Sequence, residues 1–350
     1  MKEYNKIIDV IIPAYNVPDH ILFRCLSSIA CQSIIDEIEV TIVDDASTKQ
    51  NYANVIKNFE GFMKINLLRY EENGGPGVAR QYGIDHTTNG YLTFIDADDT
   101  YNGAFALKAL RNAIQSVDGL YQMAVGSFQE TKFENDKDVL GPIYVNHTQD
   151  MTWMFGKIYR RAFLDKHNIR FHKTSRANED AGFNSICKLS LEPGEEILFF
   201  QEVVYYWHEN ENSITRINDC QYNFDCTPDR GGFYGYVQNM IYAIQTVENT
   251  CSNKDFLMDH VVSVMFNLYK YYLDGYNDEK GKKVIDDVFK MCKWYYDEIF
   301  NKYRLNGDIS DERLISTHSG FMQGLYSDGG LTYIPHVSFN EFLNKLENDK

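Results

Sequence analysis

The first hundred residues alternate between short apolar runs rich in β-branched residues and segments with helical patterning, and this alternation strongly constrains the fold. Four apolar runs lead into loops, at residues 7–12, 38–43, 65–68 and 91–95. The segments between them carry apolar residues at spacings typical of helices. Strands that alternate with helices across short loops predict an α/β fold, with a mixed, mostly parallel sheet flanked by helices on both faces.

The fourth apolar run ends abruptly in three carboxylates within four residues, Asp96-Ala97-Asp98-Asp99. A buried strand cannot hold unpaired charges, so the acids are expected just beyond its end, where open α/β sheets bind ligands. The Asp-x-Asp spacing can present oxygens to one divalent cation, which in turn can hold a diphosphate. Taken alone, these residues fit equally well a turn in which an aspartate caps the next helix.

The ends of the neighbouring strands also carry residues suited to ligand binding. Pro13 and Tyr15 follow the first strand and could form an aromatic wall, and Asp45 follows the second and could accept a hydrogen bond from a base or a sugar hydroxyl. Gly74 lies in a Gly-Gly-Pro-Gly loop at a helix start, which resembles a phosphate cradle. The loop matches neither a P-loop nor a dinucleotide fingerprint, which weighs against an ATPase and a dehydrogenase.

Later segments extend the sheet and then give way to helices. Residues 120–127 and 143–145 are predicted strands, with a polar surface loop at 130–138 between them, and an aromatic strand at 196–207 leads to His208. From residue 232 to about 303 the pattern is helical only, and its apolar stripes indicate helix packing. We therefore predict two domains, an α/β domain over residues 1–217 and a mainly α-helical domain over residues 218–350.

Composition narrows the classes of partner. The net charge of −16 gives no overall attraction to a phosphate backbone, which weighs against nucleic acid without excluding a local basic groove. The seven cysteines include no CxxC pair, so neither a zinc site nor a disulfide framework is indicated. No run approaches the roughly 20 apolar residues of a membrane span. These features predict a cytoplasmic protein without an integral membrane segment.

Taken in order, these pieces resemble the successive motifs of family 2 glycosyltransferases, which have the GT-A fold. Two further segments, one from Trp153 to Arg161 and one at Asn178-Glu179-Asp180, are similar to the acceptor-side motifs of that family. The resemblance covers roughly residues 6–216. The donor-side motifs are Ile11-Ile12-Pro13-Ala14-Tyr15-Asn16, Val43-Asp44-Asp45-Ala46-Ser47-Thr48, Asn73-Gly74-Gly75-Pro76-Gly77-Val78-Ala79-Arg80 and Ile95-Asp96-Ala97-Asp98-Asp99.

The resemblance implies a role for each residue on the donor side. Pro13, Tyr15 and Asp45 would line a nucleobase pocket. Arg80 would support the base or the diphosphate, and Asp96 would bind ribose or a metal-bound water. Asp98 would coordinate Mn²⁺ or Mg²⁺ on the diphosphate of a nucleotide-sugar, most simply a UDP-sugar.

On the acceptor side, the resemblance implies that Asp180 is the base of an inverting transfer of a hexosyl or N-acetylhexosaminyl group. By themselves, the acids at 179 and 180 also fit the first turn of a helix, where the helix dipole favours them. His208 falls where some relatives place an additional metal ligand, although a histidine beside a tryptophan also fits a structural role.

Several alternatives stay open on the sequence. A nucleotidyltransferase would also use Asp-x-Asp with a metal, but it would want a basic glycine-rich loop near the first strand. A catalytically inactive nucleotide-sugar-binding module is a second alternative. The acceptor could be a glycan or surface polymer, or a modified nucleobase in DNA, and the C-terminal helices could form a homo-oligomer interface.

Overall fold

The computed structural model describes most of the chain as two compact units, Met1–Glu211 and Asn212–Lys350. The predicted domain boundary at 217/218 falls within residues 210–221, which lie outside the described residues. The described residues are 7–134, 137–144, 151–209, 222–228, 231–327 and 335–349.

The N-terminal unit is built on a single sheet with the strand order β3-β2-β1-β4-β8-β6-β9-β5, and β7 pairs with β6. Strands β1 to β4 are mutually parallel, β8 joins β4 in the antiparallel sense, and β9 runs parallel to β6. The strands are β1 Ile8–Ala14, β2 Ile38–Asp44, β3 Lys64–Arg69, β4 Tyr91–Phe94, β5 Thr100–Tyr101, β6 Tyr121–Glu134, β7 Lys137–Tyr144, β8 Lys157–Arg160 and β9 Glu196–His208.

Helices cover this sheet and bury its apolar side chains. Val10 and Ile42 on the central strands and Leu26 on the first helix are fully buried in one continuous core. The predicted α/β fold with flanking helices is confirmed. The helices of this unit are α1 Asp19–Ala30, α2 Ala53–Lys57, α3 Pro76–Asp85, α4 Ala106–Gln115, α5 Arg161–Lys166 and α6 Glu179–Leu189.

The register of the parallel strands brings their carboxyl ends to one edge. Ala14 lies beside Asp44 across the β1–β2 pair, and Ile11 lies beside Phe94 across the β1–β4 pair. The loops that follow β1, β2 and β4 therefore leave the sheet side by side. The candidate site is built along this edge.

The predicted surface loop at 130–138 is wrong over most of its length. Strand β6 continues to Glu134 and pairs with β7 as a hairpin, with Thr131 opposite Leu140; residues 135–136 lie outside the described part. Polar side chains are compatible with a strand at the rim of a sheet, because one face of an antiparallel pair can meet water. The polarity of this segment was therefore a poor guide to its backbone.

The C-terminal unit is helical in its described residues, as predicted. One of the predicted apolar stripes consists of Val261, Val264, Met265 and Leu268, and all four are buried, which confirms the predicted helix packing. Among the helices that the structure describes, none combines the length and apolar character that a bilayer crossing requires. The helices are α7 Gly232–Val247, α8 Lys254–Asn277, α9 Ile285–Tyr295, α10 Asn301–Leu305, α11 Asp311–Ser327 and α12 Phe339–Asn348, with a π-helical turn Tyr296–Phe300 between α9 and α10.

Candidate active site

Asp45, which follows β2, ties the glycine loop to the sheet edge. Its buried carboxylate accepts hydrogen bonds from the Tyr70 hydroxyl at 2.7 Å, the Asn73 amide at 2.9 Å, and the backbone N–H groups of Gly74 and Gly75 at 2.7 and 2.9 Å. These four donors match the roughly four lone-pair sites of a carboxylate. In this structure Asp45 and the first N–H groups of the predicted phosphate cradle are therefore bound to each other.

The glycines of this loop are required by backbone conformation and by close packing. Gly75 has a φ of 86°, a value that favours glycine. A Cβ atom on Gly77 would lie 2.8 Å from the Glu179 side chain, so α3 and α6 approach each other closely at this point. Arg176, just before α6, donates to the Asn73 carbonyl at 2.6 Å and fixes the loop from the other side.

The loop after β1 presents an exposed aromatic side chain. Pro13 lies near the end of β1, and Tyr15 follows the strand with half of its surface exposed. Asn16 has a φ of 52°, and its side-chain oxygen accepts from the backbone N–H groups of Thr48 and Lys49 at 2.9 and 2.8 Å. The loops after β1 and β2 are thus joined, with Tyr15 available beside them.

Arg80 connects the acids after β4 to the start of α6. Its buried guanidinium donates to Asp96 and to Glu179, each at 2.6 Å, while its Nε atom has no hydrogen-bond partner among the described residues. Burial alone would lower the pKa of Arg80, but the charges of Asp96 and Glu179 outweigh it and raise the pKa. The site therefore contains a permanently charged bridge between its two groups of acids.

An aromatic cluster beneath this bridge holds α6 against β4. Phe171 and Phe183 stack with ring centroids 4.1 Å apart, and Phe94 at the end of β4 meets both rings edge-on. Tyr159 donates to the Asn184 side-chain oxygen at 2.8 Å within the same buried region. Close-packed rings leave little freedom, so the start of α6 is fixed relative to the strand end.

Asp180 lies in the first turn of α6, directly after the residue that binds Arg80. Its carboxylate accepts from the Ala181 N–H at 2.8 Å. Burial and the neighbouring Glu179 charge raise the pKa of Asp180 to about 7, against the opposing effect of Arg80. A carboxylate with a pKa near neutral pH is well matched to a general base.

The acids after β4 differ in their surroundings. Asp96 keeps 32% of its side chain exposed and Asp98 is partly exposed, whereas Asp99 is buried. Asp99 accepts from the Tyr205 hydroxyl at 2.6 Å and from the His208 N–H at 2.8 Å, and burial and the neighbouring acids raise its pKa well above the usual value. Asp99 therefore joins the strand end to β9, which leaves Asp96 and Asp98 on the open side.

His208 is held by hydroxyl groups through both of its ring nitrogens. Nε2 lies 2.8 Å from the Thr100 hydroxyl, and Nδ1 lies 2.7 Å from the Thr131 hydroxyl. A metal ion could use either nitrogen only if that hydrogen bond were broken. A metal role for His208 stays a prediction, and the structure supplies a structural role for the ring.

Asp96 and Asp98 fit a hard divalent cation in part. Carboxylate oxygens are suitable ligands for Mg²⁺ and Mn²⁺, and Mg²⁺ is usually bound through one or two carboxylates together with substrate phosphates. Within the described ranges, no three His, Cys, Asp or Glu side chains converge to hold a metal ion. The donor set therefore fits a metal that is completed by a phosphate-bearing ligand.

The structure brings Arg80, Asp96 and Asp180 together and places the Asp45–Gly74 pair beside them through the glycine loop. Sequence reasoning missed the bridging role of Glu179 and the two contacts of Tyr205, whose hydroxyl also accepts from the Asp96 N–H at 3.2 Å. The alternation of aromatic residues along β9 could have indicated which face Tyr205 occupies. No pattern in the sequence could have paired Arg80 with a residue 99 positions away.

This sheet with its flanking helices has the GT-A fold. The structure of Staphylococcus aureus TarS 1–349 in complex with UDP-GlcNAc matches with a TM-score of 0.60 at 16% identity, over 91% of this chain and 92% of that one. Similarity at this level of identity establishes the fold and its helical extension. The predicted GT-A architecture is confirmed.

Residues 9–177, slightly less than half of the chain, match the model of glycosyl transferase family 2. The uncharacterized glycosyltransferase EpsJ of Bacillus subtilis is 24% identical over 224 residues, which are 60% of this chain and 63% of EpsJ. The poly(ribitol-phosphate) beta-N-acetylglucosaminyltransferase TarS of S. aureus is 25% identical over 209 residues, which are 57% of this chain and 35% of TarS. The chain thus spans less than two thirds of either relative.

Proposed function

We propose that this protein transfers a sugar from a nucleotide-sugar, most simply a UDP-sugar, to an acceptor hydroxyl with inversion at the anomeric carbon. The observation that carries the proposal is the Arg80 bridge, which joins Asp96, predicted to bind ribose or a metal-bound water, to Glu179, the residue before Asp180 in the chain. A direct displacement needs a charged-phosphate site and a base close to each other, and this bridge brings both kinds of residue together.

In the proposed reaction Asp180 takes the proton of the acceptor hydroxyl. The hydroxyl oxygen then forms a bond to the anomeric carbon while the bond from that carbon to the nucleoside diphosphate breaks. Arg80 stays protonated throughout, so its charge favours the growing negative charge on the leaving diphosphate. Asp99 and Tyr205 keep the strand end in place and take no part in proton transfer.

Asp98, with Asp96 beside it, would hold Mn²⁺ or Mg²⁺. When bound, such an ion neutralises charge on the leaving diphosphate. Tyr15 and Pro13 would form one side of the nucleobase pocket. Asp45 would either exchange one of its four donors for a base N–H or act only by holding the glycine loop at Gly74.

The acceptor side of the proposal is a glycan or a surface polymer. The relatives named above include an enzyme whose name specifies a polymer acceptor, and TarS was crystallised with UDP-GlcNAc. The net charge of −16 weighs against the alternative of a DNA acceptor. A catalytically inactive binding module would have the same donor site. Only a measurement of turnover distinguishes such a module from an active transferase.

The test is a panel of UDP-, GDP-, ADP- and dTDP-sugars scored for hydrolysis and for binding by calorimetry, with Mn²⁺ and with a chelator. We expect one donor to bind only with the metal, and Asp98→Ala to abolish that binding. Asp118→Ala, a change of an exposed acid after α4, is the matched control and should bind as the unmodified protein does.

Binding that survives both the chelator and Asp98→Ala would remove the metal role. Failure of every donor to bind would overturn the proposed function, and binding without turnover would favour the inactive module.

A further inference from the structure

Four aromatic side chains form a stack beside the candidate site, here called the aromatic wall: Trp153, Phe155, Tyr205 and Trp207. The rings of Trp153 and Phe155 are parallel within 2°, with centroids 6.5 Å apart. The Phe155 ring is also within 22° of Tyr205 and 24° of Trp207, at 5.1 and 5.8 Å. Stacked rings cover part of one another's faces, so the apolar surface that remains open belongs to Trp153, Phe155 and Trp207, whereas Tyr205 is fully buried behind them.

The wall is held rigid by the sheet behind it. Tyr205 and Trp207 are two residues apart on β9 and therefore lie on the same face of that strand. Phe128 of β6 meets both Trp153 and Phe155 edge-on, at 72° and 71°. The three residues Trp153, Phe155 and Trp207 nevertheless keep part of their surface exposed, with 36% for Trp153.

The position of the wall links it to both chemical ends of the site. The Tyr205 hydroxyl contacts the Asp96 N–H and the Asp99 carboxylate. At the other end, the Asn184 side chain donates to the Trp153 carbonyl at 3.0 Å. Asn184 follows Asp180 by four residues on α6, and residues four apart lie on the same face of a helix. The wall therefore contacts the strand-end acids through Tyr205, and through the Trp153 carbonyl it contacts α6, the helix that carries Asp180.

We propose that the aromatic wall binds the ring of an acceptor sugar, so that the accepting unit is a pyranoside and not an open-chain polyol phosphate. This inference rests on the proposed function, because only a transferase has an acceptor. One face of a pyranose ring is lined by C–H groups and can lie flat on aromatic rings. A polyol phosphate has no such face and carries a charge that the exposed part of the wall does not neutralise.

The proposal separates this protein from one of its relatives. The name of TarS specifies poly(ribitol-phosphate), a polymer whose repeating unit is an open-chain polyol phosphate. A nucleobase would also stack on aromatic rings, but the charge of −16 disfavours the phosphate backbone that accompanies it. The wall therefore favours a glycan acceptor over both a polyol phosphate and DNA.

The first test measures binding to the wall without any donor. The full chain is mixed with methyl pyranosides of glucose, galactose and N-acetylglucosamine, with ribitol 5-phosphate, or with a short single-stranded oligonucleotide, and saturation-transfer NMR reports contact. We expect at least one methyl pyranoside to bind and Trp153→Ala to weaken that binding about tenfold. Phe62→Ala, a change of an aromatic residue with 74% exposure outside the wall, should leave it unchanged. Preferential binding of ribitol 5-phosphate or of the oligonucleotide would overturn the proposal.

The second test separates the wall from the donor site. In transfer assays Trp153→Ala should raise the acceptor KM about tenfold and be largely rescued by Trp153→Phe, whereas the control Phe62→Ala should leave the acceptor KM and acceptor-free donor hydrolysis unchanged. An unchanged acceptor KM in Trp153→Ala would overturn the proposal. If the unmodified protein neither binds nor hydrolyses any nucleotide-sugar, the proposed function fails. If it hydrolyses a donor but Trp153→Ala does not change the acceptor KM, only the proposal for the aromatic wall fails.

Discussion

Replacement of Asp180 by asparagine should make the folded protein more stable at pH 8 while it slows transfer. The folded-state pKa of Asp180 is about 7, whereas the ordinary value is 3.8, because burial and Glu179 disfavour the charged form. The folded protein therefore binds this proton more tightly than the unfolded chain does. The stabilisation from the neutral carboxyl is complete below pH 3.8 and is lost as the pH rises through 7.

The size of the effect follows from the difference in pKa. At about 1.4 kcal/mol per pKa unit, the two values correspond to an upper limit of about 4 kcal/mol at pH 8. Asp180 is not fully excluded from solvent, so we expect a gain of about 2 kcal/mol for Asp180→Asn at pH 8. Near pH 4 the carboxyl is neutral in the folded protein, and the two proteins should differ by less than about 1 kcal/mol.

The assay is urea unfolding at pH 4, 6 and 8 with tryptophan fluorescence as the signal. The chain has three tryptophans, at positions 153, 207 and 294. A Trp294→Phe background confines the signal to the N-terminal unit, where Asp180 lies. Asp118→Asn, an exposed acid, should show no comparable dependence on pH and serves as the control.

The same variant tests the proposed role of Asp180 in transfer. The initial rate of the unmodified protein should rise about tenfold per pH unit up to pH 7 and then level off, since only the ionised carboxylate accepts a proton. Asp180→Asn should reduce the rate by about 10² to 10⁴ and remove this dependence. A variant that is less stable than the unmodified protein at pH 8, or an unmodified rate that does not change between pH 5 and 8, would refute the reasoning.

Two further predictions concern stability. Arg80→Met should lower the free energy of unfolding by about 3 to 5 kcal/mol, because it leaves Glu179 buried without its partner. Lys64→Met removes an ion pair whose lysine is exposed and should cost less than about 1 kcal/mol in the same denaturant titration. Phe342→Ala, in the ring cluster with Tyr272, should cost about 3 to 5 kcal/mol, measured by the fluorescence of a variant that retains only the tryptophan of the C-terminal unit. A loss below about 1 kcal/mol in either buried variant would contradict the buried contacts of Arg80 or of Phe342.

The parallel half of the sheet was predictable because each of its strands is an apolar run that ends at a loop. The hairpin of β6 and β7 was not predictable in the same way, since its residues at 130–138 are polar and its backbone is fixed by pairing between strands. Local pattern did indicate a helix start at the acids 179 and 180, and α6 begins at Glu179; it did not indicate that Asn178 before it has a left-handed conformation, with a φ of 54°.

The contacts of the predicted site residues could not be inferred from the motifs that contain them. In the structure Asp45 follows β2, and Arg80, on α3, binds Asp96 beyond the end of β4. That Asp45 is bound by the glycine loop, and that His208 lies between two threonine hydroxyls, depends on contacts that span 28 to 108 residues. Such contacts arise from the tertiary fold, so motif spacing carries no information about them.

Strand β9 has a consequence for the order in which the site can form as the chain is synthesised. It lies between β6 and β5, and it supplies the Tyr205 hydroxyl and the His208 N–H that bind Asp99. The His208 donor is 109 residues after Asp99 in the chain. The N-terminal strands can pair early, because domains fold as the chain emerges, but the buried carboxylate of Asp99 has neither partner until β9 has been made. We therefore expect the first strands to form an incomplete donor site during synthesis. The acids after β4 reach their final arrangement only when β9, the last strand of the sheet, pairs with its neighbours.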